Sequence, residues 1–415
     1  MRKIRKPVYF ACGDYTVSLG TGRKEFHPKK PRPGLEHYIA EAGRGVLAQL
    51  GGADKVDESV VGNFMAARFN KQGHLGALIS VVDPGLAYKP SLRVEGACAS
   101  GGLALATAVR SVLADQADGV LALGVEVQNT VKAIYGADVL AGAGHFASER
   151  KQGHAYFFPS RFAERAGAYQ QRFGHEQAWE GMGRWYEQAI LAARTNDKAQ
   201  EFHNADPDPF ASHQRMRPNP RGFCDHINVL DCSKVSDGAA AVAVLSEEGL
   251  SRAGVAAEDA IELVGIGHVA ADLTAPPEDL TVLDTTRRAV SEAMEMAGVT
   301  ARQIGVFEVH DCFTITGILA VEALGLAPHG EGAAYVAAGK TRPDGPSPIN
   351  PSGGLIGWGH PTGATGVRMA VDIWRQLTGR AGEAQLDLDE RPYGLTISMG
   401  GNDKTVVSCV FRRAG

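Results

Sequence analysis

The sequence predicts an α/β protein of two strand–helix halves separated by an insertion. Three observations carry this: apolar strand-like runs alternate with helical patterns over residues 1–130, the texture changes over 131–232, and the alternation then returns. In order, VYFACG reads as a strand, a helix follows near 35–50, ESVVGNFMA is a second strand, a helix lies near 101–114, and GVLALGVEV is a third strand. Strands separated by helices predict a layered unit with parallel strands. The middle third is aromatic, Arg-rich, His-rich and Pro-containing, as in KQGHAYFFPSRFAERAGAYQQRFG and NADPDPFASHQRMRPNPRG, and reads as inserted helices and long loops. SDGAAAVAVLSEEGL and IELVGIGHVAA then restore small apolar strands. The halves echo each other. GACASGGLALATAVRSVL leads into GVLALGVEV, and WGHPTGATGVRMAVDIWRQL leads towards GLTISMGG; each has Cys or His, one residue, Ser or Thr, then Gly at the mouth of a helix. This points to a duplicated unit that presents two reactive side chains at a shared face.

Composition narrows the class. With 44% hydrophobic and 21% charged residues the chain reads as an ordinary folded protein, neither disordered nor membrane-embedded. A net charge of -5 gives no global basic field for nucleic acid, although Arg215, Arg217 and Arg221 could meet a small anion. Asp14 interrupts the apolar run after the basic opening MRKIRKPVYFACGDYTV, a poor signal peptide, and no stretch approaches membrane-spanning length. The six cysteines, Cys12, Cys98, Cys224, Cys232, Cys312 and Cys409, are too few and scattered for a disulfide framework and read as thiols in a reducing compartment. The C-terminal FRRAG is no peroxisomal address, so the expected location is the cytoplasm.

Three segments carry chemistry. Leu103, Ala106, Val109, Val112 and Leu113 recur at helical spacing after Cys98, which places this cysteine at a helix N-terminus. Unpaired amides and the helix dipole favour a nucleophilic thiolate there, although most free cysteines are buried small hydrophobes. His360 lies in NPSGGLIGWGHPTGATG, a loop short of side chains that closes before a helix with Val367, Met369, Ala370, Ile373 and Trp374. Its imidazole could take a proton from a thiol or bond a thioester oxygen, or merely cap the helix. In VFEVHDCFTITG a β-rich run ends in His310, Asp311 and Cys312 before a helical texture. Polar groups then stand at the carboxyl edge of the sheet, where ligand sites gather, and Cys312 becomes a candidate acid/base with His310 an oxyanion donor. A capping Asp beside a core cysteine would look the same.

Together these segments resemble the thiolase superfamily. GACASGG is similar to its nucleophile motif, SDGAAAVAVLSEE to its small-residue strand after the coenzyme A loop, and NPSGGLIGWGHPTGATG to its catalytic-histidine motif, in family order from about residue 8 to the C-terminus. HDCF at 310–313, where other thiolases carry Asn-Glu-Ala-Phe, and DHINVLDCSKVSDGAAA resemble the sterol-carrier-protein type. There is one departure from the wider family: Ser398 in SMGGN replaces its second catalytic cysteine, and Cys312 is the residue that takes over in the sterol-carrier type. Whether Ser398 shares that role is left open, while Cys409 lies outside the motif and reads as core.

The resemblance implies a duplicated, five-layered α/β/α/β/α fold with an inserted loop domain. Its halves would be 1–130 with 233–262, and 263–415, around a loop domain at 131–232 that binds coenzyme A and substrate. It implies a Cys98 acyl-enzyme activated by His360, with Cys312 moving the proton on carbon or on the coenzyme A sulfur. The amides of Cys98 and Gly400 would form the oxyanion site, His310 and His360 would hold the thioester oxygen, and Ser233 would touch coenzyme A. Coenzyme A enters as co-substrate, 3-ketoacyl-CoA is the partner substrate, and neither metal nor redox cofactor is required. Family members are dimers or dimers of dimers, and related bacterial chains act with a small zinc-ribbon and OB-fold companion. Tyr135, Phe146, Tyr156, Phe157, Phe158 and Tyr169 in the insertion point towards a bulky or aromatic acyl group, although inserted aromatics more often form core.

Rival readings fit less well. An α/β-hydrolase elbow needs Gly where the chain has Ser100, and a phosphate loop ending at Gly339, Lys340 and Thr341 needs Gly where it has Ala334. Cys224, His226 and Cys232 could be drawn as a zinc site, without a second paired-ligand cluster. Within the superfamily, Cys98 disfavours the aldolases and HDCF disfavours a ketoacyl synthase. A condensing synthase working with a companion subunit, or a non-catalytic coenzyme A-binding relative, remain the alternatives.

Overall fold

A computed structural model describes residues 3–150 and 153–415. Met1 and Arg2 of the basic opening, and Lys151 and Gln152 of the aromatic segment, lie outside the described residues. The first half contains β1 (Tyr9–Tyr15), β2 (Leu19–Gly20), α1 (Leu35–Leu50), β3 (Glu58–Gly62), α2 (Ala66–Phe69), β4 (Ser91–Val94), α3 (Ser100–Leu113) and β5 (Gly119–Val127). The insertion carries α4 (Ala133–Leu140), α5 (Phe157–Phe173), α6 (His175–Ala193) and α7 (Pro209–Arg215). Then come β6 (Ser236–Leu245), α8 (Glu247–Ala253), β7 (Ala260–Ala270), α9 (Asp284–Ala297), β8 (Ile304–Glu308) and α10 (Thr314–Ala323). The chain closes with α11 (Gly332–Ala337), α12 (Gly354–Trp358), α13 (Thr365–Leu377), β9 (Tyr393–Gly400) and β10 (Thr405–Arg413).

The strands hydrogen-bond along one path, β4-β3-β5-β6-β1-β7-β10-β9-β8, with β2 beside β6. The expectation of parallel strands holds only at the two ends, where β3 runs parallel to β4 and β5, and β8 parallel to β9. Every other pairing on the path is antiparallel. The departure has a physical use: antiparallel neighbours need no crossover, so the chain can leave after β5, build the insertion and return on β6. Strand β7 pairs with β10 along its length and with β1 only over Ala260–Glu262, so it belongs mainly to the second half of the sheet.

Strand alternation sorts the core into layers. On β6, Ala239, Ala241, Ala243 and Leu245 pack with the α1 residues Ile39, Ala42 and Val46. Ala240, Val242 and Val244 face the other way, with Ala104, Ala108, Val367 and Val371 of α3 and α13. In the second half Val407, Cys409 and Phe411 meet that same central layer, while Leu395, Ile397 and Met399 meet α9, α10 and the insertion helices. The order is therefore helix, sheet, paired central helices, sheet, helix. Glycine makes the tightest layers: a Cβ on Gly265 or Gly267 of β7 would lie 2.0 or 1.9 Å from a carbonyl oxygen of α9. No helix among the described residues is long and apolar enough to cross a membrane.

Candidate active site

The two echoed motifs meet at the centre. A Cβ on Gly101 would lie 2.8 Å from both the Gly363 carbonyl oxygen and the Gly366 amide, and a Cβ on Gly366 would lie 2.3 Å from the Gly102 amide. Only bare backbone allows α3 and α13 to touch at their first turns. Cys98, just ahead of α3, and His360, just ahead of α13, are brought together as a result. Next to Cys98, Ala97 adopts a left-handed backbone (φ 54°), uncommon for a residue with a Cβ. Ser100 holds that bend, its hydroxyl donating to the Ala97 carbonyl at 2.6 Å and accepting from the Gly96 amide at 3.1 Å.

His310 arrives from the end of β8. One donor atom each from Cys98, His310 and His360 lies within 4.8 Å of the others. The tautomer of His360 follows from its neighbours. Thr365 Oγ1 donates to the Pro361 carbonyl at 3.2 Å, so it accepts at 2.7 Å from His360 Nδ1–H. The lone pair is left on Nε2, which is buried and has no hydrogen-bond partner among the described residues. The His360 amide donates to Ser236 Oγ and its carbonyl accepts from Gln128 Nε2, which fixes the backbone on both sides of the ring. His310 Nδ1 receives only a long 3.4 Å contact from the Met399 amide.

Electrostatics correct one expectation. The helix mouth was expected to favour the thiolate, but burial dominates: it pushes the Cys98 thiol up to about 12, the nearby Glu126 carboxylate adds to this, and the amides of Gly401 and Cys98 itself oppose it. The resting sulfur is thus a thiol, though the residue keeps some solvent exposure. Burial, then the Arg368 charge, drives His360 down to about 3; burial, His360 and Arg368 hold His310 well below the usual imidazole range. Two neutral imidazoles face one neutral thiol, and charge appears only when a proton moves.

Cys312 is buried at the start of α10, 3.9 Å from Thr316 Oγ1. Burial raises its thiol well above the ordinary value, and Cys98 is near enough to add to that. Its carbonyl accepts from the Ser233 amide at 2.9 Å, which ties the Ser233 backbone to the Cys312 backbone. Gly400 packs on the nucleophile turn, since a Cβ there would lie 2.1 Å from the Gly96 carbonyl oxygen. The Ser398 hydroxyl, without a hydrogen-bond partner among the described residues, lies where the first turns of α3 and α13 meet: a Cβ on Gly366 would come within 2.6 Å of it and one on Gly102 within 2.9 Å. Cys409 is core of β10. Among the described residues, Cys224, His226 and Cys232 do not converge as metal ligands; His226 contacts Gln170 at 3.1 Å. Of the inserted aromatics, Phe157 and Tyr169 are buried core, while Tyr135 and Phe146 are exposed.

Three supporting residues escaped the sequence reading. Glu126 on β5 accepts from Asn63 Nδ2, the amides of Phe64, Met65 and Gly363, and Thr362 Oγ1, so one carboxylate ties the end of β3 to the His360 loop. Arg368 on α13 donates to Glu308 at 2.9 Å and to Asp372, and lies 5.2 Å over the Trp358 ring. Arg165 on α5 donates to Asn402 Oδ1 at 2.6 Å and to the carbonyls of Leu280 and Val282. The available signal was one charge within an apolar run for Glu126, in GVLALGVEV, and an Arg–Asp pair four residues apart within one for Arg368, in GVRMAVDIW.

Residues 35–160 match the family described as thiolase, N-terminal domain, and residues 267–413 the thiolase C-terminal domain-like family. An acetyl-CoA acetyltransferase of Methanothermobacter thermautotrophicus is 37% identical over 379 residues, 90% of this chain and 94% of that protein. Sterol carrier protein 2 of Rattus norvegicus is 35% identical over 199 residues, 47% of this chain and 36% of that protein. Benzoylsuccinyl-CoA thiolase subunit BbsB of Thauera aromatica is 27% identical over 76% of this chain and 77% of its own length. In fold, an Ltp2-ChsH2(DUF35) aldolase superposes with a TM-score of 0.77 at 20% identity, covering 98% of each chain. The paired helix mouths, their cysteine and histidine, and these likenesses agree: the chain belongs to the thiolase superfamily and is a thiolase-type acyltransferase.

Proposed function

We propose that the chain catalyses coenzyme A-dependent cleavage of a 3-ketoacyl-CoA, or the reverse condensation, through an acyl-enzyme on Cys98. The observation that carries this reading is the convergence of Cys98, His310 and His360 within 4.8 Å, with the His360 lone pair free. His360 Nε2 takes the Cys98 proton as the sulfur attacks the 3-keto carbon. The alkoxide forms against the amides of Cys98 and Gly400, with Gly401 beside them. Collapse breaks the bond between the α- and β-carbons. The departing enolate oxygen is held by His310 and His360, and Cys312 protonates its carbon. Cys312, now a thiolate, takes the proton of the incoming coenzyme A, whose sulfur attacks the acyl-enzyme; the acyl–Cys98 bond breaks, the shortened acyl-CoA leaves, and the freed Cys98 thiolate recovers its proton from His360.

The insertion at 131–232 serves as the loop domain that carries the coenzyme A contacts, with Ser233 at its edge. A cavity of about 780 Å³, lined in part by His154, Glu164, Gln171, Cys224, Asp225 and His226, supports this. A bulky or aromatic acyl group is favoured by the apolar wall beside the nucleophile, where Phe64, Ala143, Met65, Leu140 and Phe158 pack around Ala97. The likeness to a benzoylsuccinyl-CoA thiolase subunit supports both that substrate class and a companion subunit. The working form is a cytoplasmic dimer or dimer of dimers. The direct test is intact-mass analysis after a screen of acyl-CoAs. Acylation of the wild type, with loss of the adduct and a fall in thiolysis of more than about a thousandfold in Cys98→Ala, is expected. Acylation at another residue overturns the assignment.

A further inference from the structure

We propose that Cys98, His310 and His360 also form a site for one thiophilic divalent cation of the zinc or cadmium class, and that filling it silences the enzyme. Tetrahedral zinc holds imidazole nitrogens at about 2.0–2.1 Å and thiolate sulfur at about 2.3 Å, which sets its donors roughly 3.3–3.8 Å apart. The three donor atoms here already lie within 4.8 Å of one another, so small side-chain rotations close the shell.

A second observation is independent of that spacing. His360 Nδ1–H is held by Thr365, and Nε2 is buried with its lone pair unpartnered. An imidazole oriented by a hydrogen bond at its other nitrogen is how proteins present histidine to a metal. His310 is held by protein only through the 3.4 Å contact of the Met399 amide with Nδ1, so its ring can offer a nitrogen to the cation at small cost. Cys98 keeps some solvent exposure, which provides entry; Glu126 nearby favours a dication, while the Arg368 charge felt by both rings opposes it and is offset by Glu308 and Asp372. The fourth position falls to water or to the neighbouring Cys312. In forming the site the Cys98 S–H bond breaks, its proton leaves to water, and a sulfur–metal bond forms with no change of oxidation state. One sulfur and two nitrogens select zinc, cadmium or cobalt and reject magnesium and calcium.

Inhibition follows because Cys98 is the proposed nucleophile, and that part rests on the acyl-transfer reading; uptake of the metal does not. The test is equilibrium dialysis of the chelator-treated full chain against Zn²⁺, with Co²⁺ absorption as a reporter of thiolate ligation. Expected are one equivalent of zinc per chain, a thiolate-to-cobalt band, loss of both in Cys98→Ala and after alkylation of Cys98 in the wild type, and activity restored by chelation. Attenuated binding in His310→Gln, with a native circular dichroism spectrum, would place the second ring in the shell. Absence of stoichiometric uptake, or uptake that survives both Cys98→Ala and alkylation, overturns the site. A cobalt–thiolate band in a protein that no acyl-CoA acylates would instead leave the site standing and remove the acyl-transfer reading.

Discussion

The rings of His310 and His360 stand edge to face, with centroids 5.0 Å apart and planes at 86°. Neither ring can take up a proton cheaply: burial and then the Arg368 charge oppose it at His360, and burial, His360 and Arg368 oppose it at His310. With His360 near 3 and Cys98 near 12, no group of this pair titrates across the neutral range. The expected kcat/KM profile therefore lacks the inflection near 6.5 that a solvated histidine gives; burial sets Asp311, beside His310, at about 6 and Glu308 at about 8, and an inflection at those values belongs to them. Stability follows with a defined sign. An unfolded histidine binds a proton near 6.5 and the folded one only near 3, so between these values His360 by itself makes stability fall as pH falls. Asp237 and Asp311, each raised to about 6 by burial, act with the opposite sign, so the His360 part is read as the difference between wild-type and His360→Asn urea midpoints from pH 7 to 4; a difference that grows in favour of the wild type on acidification would contradict it.

Arg368 joins both histidine segments. It bonds Glu308 at the end of the strand that delivers His310, and it lies over Trp358, close before His360. Arg368→Met leaves Glu308 and Asp372 buried with no cation, a loss of about 3–5 kcal/mol. Urea unfolding reads the loss directly. Replacing both acids by their amides in the same background should recover a good part of it, whereas an unchanged midpoint in the single variant would show that the network is idle.

Arg165 reaches from the insertion to Asn402, directly after Gly400 and Gly401. Its guanidinium also takes two carbonyls from the 280–282 segment, three acceptors that lysine cannot satisfy together. Arg165→Met should lower kcat about tenfold to a hundredfold with little change in KM, since a drifting amide weakens the oxyanion rather than substrate binding. Arg165→Lys should rescue little. A rise in KM alone would assign Arg165 to the substrate instead.

Cys312→Ala should separate the two halves of the reaction. Acylation of Cys98 should persist, measured by mass, while steady-state turnover falls about a hundredfold to ten-thousandfold for want of its proton carrier. Unaltered turnover in Cys312→Ala would move the acid/base role elsewhere.

The nucleophile, the His360 loop and the HDCF segment are legible in the sequence because each sets a reactive side chain where a strand or bare loop gives way to a helix. Local spacing identifies the helix, and small residues identify the close approach. What sequence does not reveal is set by distant partners. Arg165 meets Asn402, and Glu126 meets Thr362, across most of the chain, and neither pairing leaves a periodic trace. The thiolate expectation for Cys98 misses for the same reason: a helix end is local, but desolvation depends on everything packed around it. Strand direction was misjudged because an insertion hides whether the returning strand runs with or against its predecessor.

The glycine-on-glycine seam between α3 and α13 ties the fates of the two repeats together. A methyl group added on either side would wedge the sulfur away from its base, so neither copy of the ancestral unit can drift alone at these positions. Any substitution there must be answered in the other copy, and variation in chemistry is driven outward, to the inserted segment that neither repeat has to accommodate.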